Sequence, residues 1–298
     1  MTAPVASCGF CGLLCDDITP EHASDLDLKR AGDIDLTRSS ALETASPCAL
    51  GAAEYLKLAA QSDVPPRIAG AATTLPRALQ RAVELLRGAR RPLFGGLGAD
   101  LAGQRTLLDL ARRVGATVDH AEMASKYRNL NVLQEYGWIA TTFSEARNRA
   151  DLFLLIGSDW WQRFPRFVER VVAPQETLFG TTTRRVFHLG PTPPPPEIIG
   201  VELSLDFSLV ALPEVFAWLA ALAHGAPLDP ARAPGGRSQA LAAIVDALRG
   251  ANYPVLVWSA AELDYAHAEL SLHALARLVR RLNTEGRAAV LPDRKSVV

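Results

Sequence analysis

The stretch that decides the fold is Asp151-Leu152-Phe153-Leu154-Leu155-Ile156-Gly157, the clearest predicted strand in the chain. Five consecutive apolar residues between an aspartate and a glycine are typical of a strand that is buried on both faces, as in a parallel sheet. A second buried strand is predicted at residues 92–94, and further strands at 117–119, 185–190, 254–258 and 288–291. Helices are predicted at 74–87, 101–114, 207–223, 238–248 and 268–282. This alternation predicts an α/β fold with a mainly parallel sheet.

The composition excludes several classes of protein. Of the 298 residues, 49% are hydrophobic and 21% are charged, which argues against a disordered chain. The formal net charge of -1 shows no basic excess, so a nucleic-acid binder is not expected. No Lys or Arg precedes Lys29, and the longest apolar run, residues 215–223, is too short to cross a membrane. A cytoplasmic protein is therefore expected.

Four cysteines carry the most specific chemical signal. Cys8, Cys11 and Cys15 form a C-x2-C-x3-C loop, Cys48 follows, and no cysteine occurs in the remaining 250 residues. Four thiolates, three of them from one tight loop, suit a [4Fe–4S] cluster. A structural zinc ion or a vestigial empty site are the alternatives. The acidic, cysteine-bearing segment closes on Val64-Pro65-Pro66, which predicts a cysteine-motif domain at residues 1–65 and an α/β region at 66–298.

Two loops that follow predicted strands are candidate ligand sites. Gly157-Ser158-Asp159-Trp160-Trp161 follows the central strand, where open α/β sheets bind ligands. The alternative is that the two tryptophans are packing or interface residues. The glycine turn at residues 95–98 could bind a phosphate or could be an ordinary strand-to-helix turn.

Four segments together resemble the B subunit of the formylmethanofuran dehydrogenase family. They are Cys8-Gly9-Phe10-Cys11-Gly12-Leu13-Leu14-Cys15-Asp16-Asp17, Val132-Leu133-Gln134-Glu135-Tyr136-Gly137, Ser144-Glu145-Ala146-Arg147-Asn148-Arg149-Ala150-Asp151 and Pro165-Arg166. The likeness is greatest to the non-redox version found in the formyltransferase/hydrolase complex of bacteria with one-carbon metabolism. The family pattern continues beyond residue 298, and residues 292–298 match none of it, so a truncated or mis-translated C-terminus is expected.

The resemblance implies a molybdopterin-oxidoreductase-like fold of the formate dehydrogenase or DMSO reductase type. Such a fold has Rossmann-like parallel sheets behind a small N-terminal [4Fe–4S] domain, and its redox members hold tungsten or molybdenum in a bis-pterin. Ser125 stands where those members have a metal-ligating cysteine or selenocysteine, so no catalytic residue is expected here. Gly157, Ser158 and Asp159 correspond to the pterin-nucleotide loop, in which Asp159 and Trp160 oppose an anionic ligand. The resemblance therefore implies that the Mo/W-bis-pterin has been lost.

The implied function is a structural, redox-inactive B subunit. Its partners would be the A, C and D subunits of a complex that moves a formyl group from tetrahydromethanopterin to a methanofuran-type carrier and releases formate. The indole groups of Trp138, Trp160 and Trp161 are candidate exposed contacts for a partner or the carrier. A redox-active formylmethanofuran dehydrogenase subunit and a metal-stapled scaffold unrelated to one-carbon transfer are the alternatives. A sheet that ends near Leu291 also predicts that the isolated chain aggregates.

Overall fold

The computed structural model describes residues 65–292 apart from 122, 159, 182 and 198, together with residues 8, 10–13, 15, 48, 50 and 51. These residues fall into two compact units. Residues 51 and 65–123 belong to the first unit, and the cysteine-loop residues, residues 48 and 50, and residues 124–292 belong to the second. The predicted boundary at 65/66 stays a prediction, because residues 52–64 lie outside the described part of the chain.

The first unit has short strands and two amphipathic helices. Its elements are β1 (Arg67–Ile68), β2 (Ala71–Ala72), α1 (Leu75–Gly88), β3 (Leu93–Phe94), α2 (Leu101–Val114) and β4 (Thr117–Val118). β1 and β2 pair in antiparallel fashion, and β3 pairs with β4 in parallel. The two helices are where the apolar periodicity predicts them. The strand predicted at 92–94 forms as β3. Its predicted burial is wrong, because Leu93 is 65% exposed among the described residues.

The second unit is built on a five-stranded sheet. Its elements are α3 (Met123–Glu135), α4 (Phe143–Arg149), β5 (Leu152–Ile156), α5 (Trp160–Arg163), β6 (Glu176–Thr177), β7 (Gly180–Thr181), β8 (Arg185–Gly190), β9 (Leu203–Asp206), α6 (Leu212–Ala223), α7 (Ser238–Gly250), β10 (Pro254–Trp258), α8 (Ala268–Leu282) and β11 (Ala289–Pro292). The strand order is β11-β10-β5-β8-β9, and every pairing in this sheet is parallel. The predicted α/β fold with a parallel sheet is thereby confirmed.

The central strand β5 divides the hydrophobic side chains into two cores. Leu152, Leu154 and Ile156 pack with α6, α7 and α8 on one face of the sheet. Phe153 and Leu155 pack on the other face with an aromatic group that includes Trp160 and Phe167. All five residues of β5 are buried, which explains why the strand is apolar without alternation.

One helix boundary beside the sheet is corrected. The helix predicted at 207–223 begins at Leu212, since Pro213 favours the first turn of a helix and disrupts its interior. β11 is the edge strand of the sheet, and the backbone of residues 139–141 forms an isolated bridge to it at Val290. The Val290 N–H donates to the Ile139 carbonyl at 2.8 Å, and the Thr141 N–H donates to the Val290 carbonyl at 2.9 Å. No helix in the described part of the chain is long and apolar enough to cross a membrane.

Candidate functional site

The strand order predicts a crevice between the carboxyl ends of β5 and β10. From β5 the chain continues to β8 and β9 on one side, and then crosses to β10 and β11 on the other. Open α/β sheets bind ligands at such a reversal of strand order, because the loops diverge there and leave a crevice. The loops after β5, β8 and β10 therefore form the candidate site.

A glutamate that the sequence analysis missed packs on the loop after β5. The backbone N–H of Ser158 donates to Oε1 of Glu262 at 2.5 Å. Gly157 adopts a φ of +87°, and a Cβ at this position would lie 2.1 Å from Oε2 of Glu262. The carboxylate thus occupies the space that a side chain at Gly157 would need, and it takes a backbone donor that an anionic ligand would otherwise use. Asp159, which the sequence predicts to oppose an anionic ligand at this loop, lies outside the described residues.

His188 lies fully buried beneath the same loop and joins it to the sheet. Its Nε2 lies 3.0 Å from the carbonyl oxygen of Gly157, and its Nδ1 lies 3.0 Å from Oγ of Ser204. Because a carbonyl oxygen only accepts, Nε2 carries the proton and Ser204 donates to Nδ1. Burial lowers the pKa of His188 below its usual value, so the ring is held neutral.

The loops after β5 and β8 are also in direct contact. The backbone N–H of Thr192 donates to Oγ of Ser158 at 3.1 Å. A Cβ at Gly190 would lie 3.1 Å from Cα of Gly157, so a side chain there would require the loop after β5 to shift. Ser158 therefore has both its N–H and its hydroxyl engaged by the protein itself.

Helix α3 carries Ser125 and is fixed to the loop after β10. The Arg128 guanidinium donates to the Ala260 carbonyl at 2.8 Å and forms an ion pair with Asp264. The Trp258 indole N–H donates to Oδ1 of Asn129 at 3.2 Å. Ser125, on the same helix, is buried with 6% exposure. The residue at the expected metal-ligand position is thus a buried hydroxyl on a helix that packs at the crevice.

The sequence carries one signal for Glu262 and Asp264, which is their position after a predicted strand. Both follow the predicted strand 254–258, as Gly157 follows the central strand. Their positions beyond a strand's carboxyl end mark them as candidates in the same way. No motif identifies them, because the contact with Ser158 joins residues 104 positions apart.

The first three predicted cluster ligands lie on one buried loop. Cys8, Cys11 and Cys15 are 4%, 4% and 5% exposed, and the Cys8 N–H donates to the Cys15 carbonyl at 2.8 Å. Cys48 is half-buried, and all four residues are thiols. The soft donor set fits an iron–sulfur cluster in its chemistry. However, no group of three or more His, Cys, Asp or Glu in the described part of the chain is placed to hold a metal ion. The ligand role of the cysteines stays a prediction.

The tryptophans predicted as exposed contacts are mostly packing residues. Trp160 is 1% exposed, so its predicted exposure is wrong. Its ring packs edge-to-face on Trp161 at 5.1 Å and on Phe167 at 5.3 Å between centroids. Trp138 and Trp161 are half-buried, and Trp138 packs against Trp258 at 5.7 Å. The packing alternative describes Trp160 correctly.

Comparisons with known proteins point to one kind of complex. No family model matches the chain. Over 94 residues the chain is 33% identical to the B subunit of the formyltransferase/hydrolase complex Fhc from Methylorubrum extorquens, covering 32% of this chain and 26% of that protein. The structure is also similar to a chain in the crystal structure of the FhcABCD complex from the same organism with methylofuran. That similarity has a TM-score of 0.64 at 27% identity, and it covers 76% of this chain and 59% of the other.

Both matches leave much of the relative uncovered, since this chain spans less than two thirds of either one. They nevertheless agree with the family that the cysteine loop and the other matched segments indicate. The resemblance to the B subunit of a formyltransferase/hydrolase complex is confirmed.

Proposed function

We propose that the chain is a structural B subunit of a formyltransferase/hydrolase complex in one-carbon metabolism. The observation that carries the proposal is the similarity to a chain of FhcABCD, with a TM-score of 0.64 over 76% of this chain. In this proposal the A, C and D subunits are its partners, and a formyl group passes between tetrahydromethanopterin and a methanofuran-type carrier before release as formate. A cytoplasmic location belongs to the same proposal.

A redox-inactive role is favoured by the residues at the crevice. In a molybdopterin-oxidoreductase-like fold, which we propose for the whole protein, this crevice would receive the nucleotide side of the cofactor. Here the Glu262 carboxylate accepts a hydrogen bond from the Ser158 N–H, and a carboxylate in that position repels a pyrophosphate. Ser125 provides a hydroxyl in place of a thiolate or selenolate. These two features support the structural role over a redox-active formylmethanofuran dehydrogenase subunit.

We also propose that Cys8, Cys11, Cys15 and Cys48 hold a [4Fe–4S] cluster. The support is the burial of three thiols on one loop whose ends are joined by a backbone hydrogen bond. Such a cluster would supply a structural cross-link between the loop and Cys48.

The cluster proposal is tested on protein prepared without oxygen. We expect iron and acid-labile sulfide in near-stoichiometric amounts, and a lower melting temperature for Cys11→Ser than for the wild type. Zinc without iron would replace the cluster by a zinc site. Absence of both metals, with an unchanged melting temperature in the variant, would contradict any metal at these cysteines.

The structural role is tested by affinity purification of the tagged full-length chain from its native cell. We expect the formyltransferase and amidohydrolase-like subunits to co-purify in fixed ratios. An extract from cells that express the untagged chain is the control for non-specific retention. Recovery of the chain alone, or only of proteins also retained in the control, would contradict the proposal.

A further inference from the structure

A cationic cavity lies at the end of the sheet opposite the crevice. It has a volume of about 270 Å³ and is lined by Tyr136, His224, Arg277, Arg280, Arg281 and Thr284. Helices α6 and α8 end here, and α8 leads into the amino end of β11. The cavity is therefore distinct from the loops at the carboxyl ends of the strands.

Two of the three arginines have structural contacts that also fix their positions. The Arg281 Nε donates to the Ala223 carbonyl at 3.0 Å, and its guanidinium pairs with Glu285 at 2.5 Å. The Arg280 guanidinium donates to the Tyr136 carbonyl at 2.6 Å and lies 4.8 Å from the centroid of the Tyr136 ring. Helix capping explains why Arg281 is here, since cations stabilise helix C-termini. It does not explain Arg277.

Arg277 lines the cavity without a partner of its own in the described part of the chain. Its side chain is exposed, and it forms no hydrogen bond or ion pair with the described residues. Three arginines line the cavity, and Glu285 is paired with only one of them. The C-terminal ends of α6 and α8 carry partial negative charge, which reduces the positive charge of these arginines. A guanidinium without a partner among the described residues, beside two held in fixed positions, is an arrangement that binds anions with more than one oxygen group.

We propose that this cavity binds a small ligand with two or more adjacent anionic groups, either phosphates or carboxylates. The volume is close to the lower end of ligand pockets, which hold about 300 to 1,000 Å³. Arg277 contributes the free charge, and Arg280 contributes a positioned one. The inference does not depend on the proposed function, because all the contacts that carry it lie within this chain.

Binding is tested by isothermal titration of the chain, or of its complex where the chain alone aggregates, at constant ionic strength. The probes are inorganic pyrophosphate, citrate and inorganic phosphate. We expect one saturable site per chain for pyrophosphate or citrate and weaker binding of phosphate. The stronger of the first two probes identifies the class of anion.

Variants show whether the cavity is responsible. Arg277→Gln is expected to weaken binding about tenfold, since a hydrogen bond to a charged group is lost. Arg280→Gln is expected to weaken it as well. Arg232→Gln is the matched control, because Arg232 is also exposed but lies on a different surface turn. No saturable binding of either probe at millimolar concentration would overturn the proposal, as would equal losses in all three variants.

Discussion

Replacing Gly157 with alanine tests the contact between the loop after β5 and Glu262. The new methyl group would lie 2.1 Å from Oε2 of Glu262 and 2.8 Å from its Cδ, so the carboxylate must move. That movement breaks the hydrogen bond from the Ser158 N–H. The φ of +87° adds backbone strain, because side chains rarely adopt this region.

The two effects can be given separate magnitudes. Alanine at positive φ costs about 1–2 kcal/mol of the free energy of unfolding. Loss of a hydrogen bond to a charged group costs about 1.5–3 kcal/mol, and the lower end applies because Glu262 is half-exposed. The expected total for Gly157→Ala is therefore about 3 kcal/mol.

Gly137→Ala provides a matched control. Gly137 has a φ of +67°, but a Cβ there would meet no heavy atom within 4 Å. We expect this variant to show only the strain, about 1–2 kcal/mol. The assay is urea unfolding of the chain, or of its complex where the chain alone aggregates, followed by tryptophan fluorescence.

A double mutant separates the contact from the strain. In a Glu262→Ala background, Gly157→Ala should cost about as much as Gly137→Ala, because the clashing carboxylate is gone. The reasoning is refuted if Gly157→Ala costs no more than Gly137→Ala in the wild-type background. It is equally refuted if the cost at Gly157 is independent of Glu262.

Three further predictions concern residues around the sheet. Asp151→Ala should lower the free energy of unfolding by about 2–3 kcal/mol, because the carboxylate accepts from the Asn252 N–H at 2.7 Å, its side-chain amide at 3.0 Å and the Tyr253 N–H at 2.9 Å. Asp151→Asn, which keeps one acceptor, should lose less, and equal losses in urea unfolding would count against this contact. The lowered pKa of His188 means that the unfolded chain takes up a proton first as the pH falls below about 6.5, so stability falls there by up to about 1.4 kcal/mol per pH unit. A His188→Gln variant should lack this part of the pH dependence in urea midpoints, and an identical pH profile would contradict it. Ser125→Ala should leave formyl transfer by the assembled complex unchanged, and loss of activity with assembly intact would show that the hydroxyl has a catalytic role.

The elements that the sequence predicted well have a continuous apolar run or a single apolar face. β5 and β10 are apolar throughout and are buried on both faces, so their composition alone identifies them. Residues 268–282 were predicted as a helix and form α8, since their apolar residues recur on one face. The parallel architecture followed from the order of these elements.

The elements that escaped prediction lack such a pattern. β9 lies at the edge of the sheet, and among its four residues only Leu205 is buried. α3 buries Ser125 and Asn129 beside a single valine, so its buried face gives no apolar pattern in the sequence. Polar burial of this kind depends on partners far along the chain, as with the indole N–H of Trp258.

The ligand role of the loop after the central strand stays a prediction, but its place in the fold is clear. The loop after the central strand is at the crevice, and Gly157 and Ser158 lie there. The carboxylate that packs on this loop comes from Glu262, a contact that only the folded sheet creates. The exposure of Trp160 was wrong because a tryptophan after a strand packs as readily inward as outward, and here the second core encloses it.

The most direct test of a redox-inactive B subunit is to measure formyl transfer together with the metal content of the purified assembly. The tagged full-length chain is isolated without oxygen, and each fraction is assayed for formyl transfer and hydrolysis and for tungsten and molybdenum. We expect formyl transfer to co-elute with the chain, and tungsten and molybdenum to be far below one atom per chain. Stoichiometric tungsten or molybdenum together with formate-linked electron transfer in the same fractions would contradict the account.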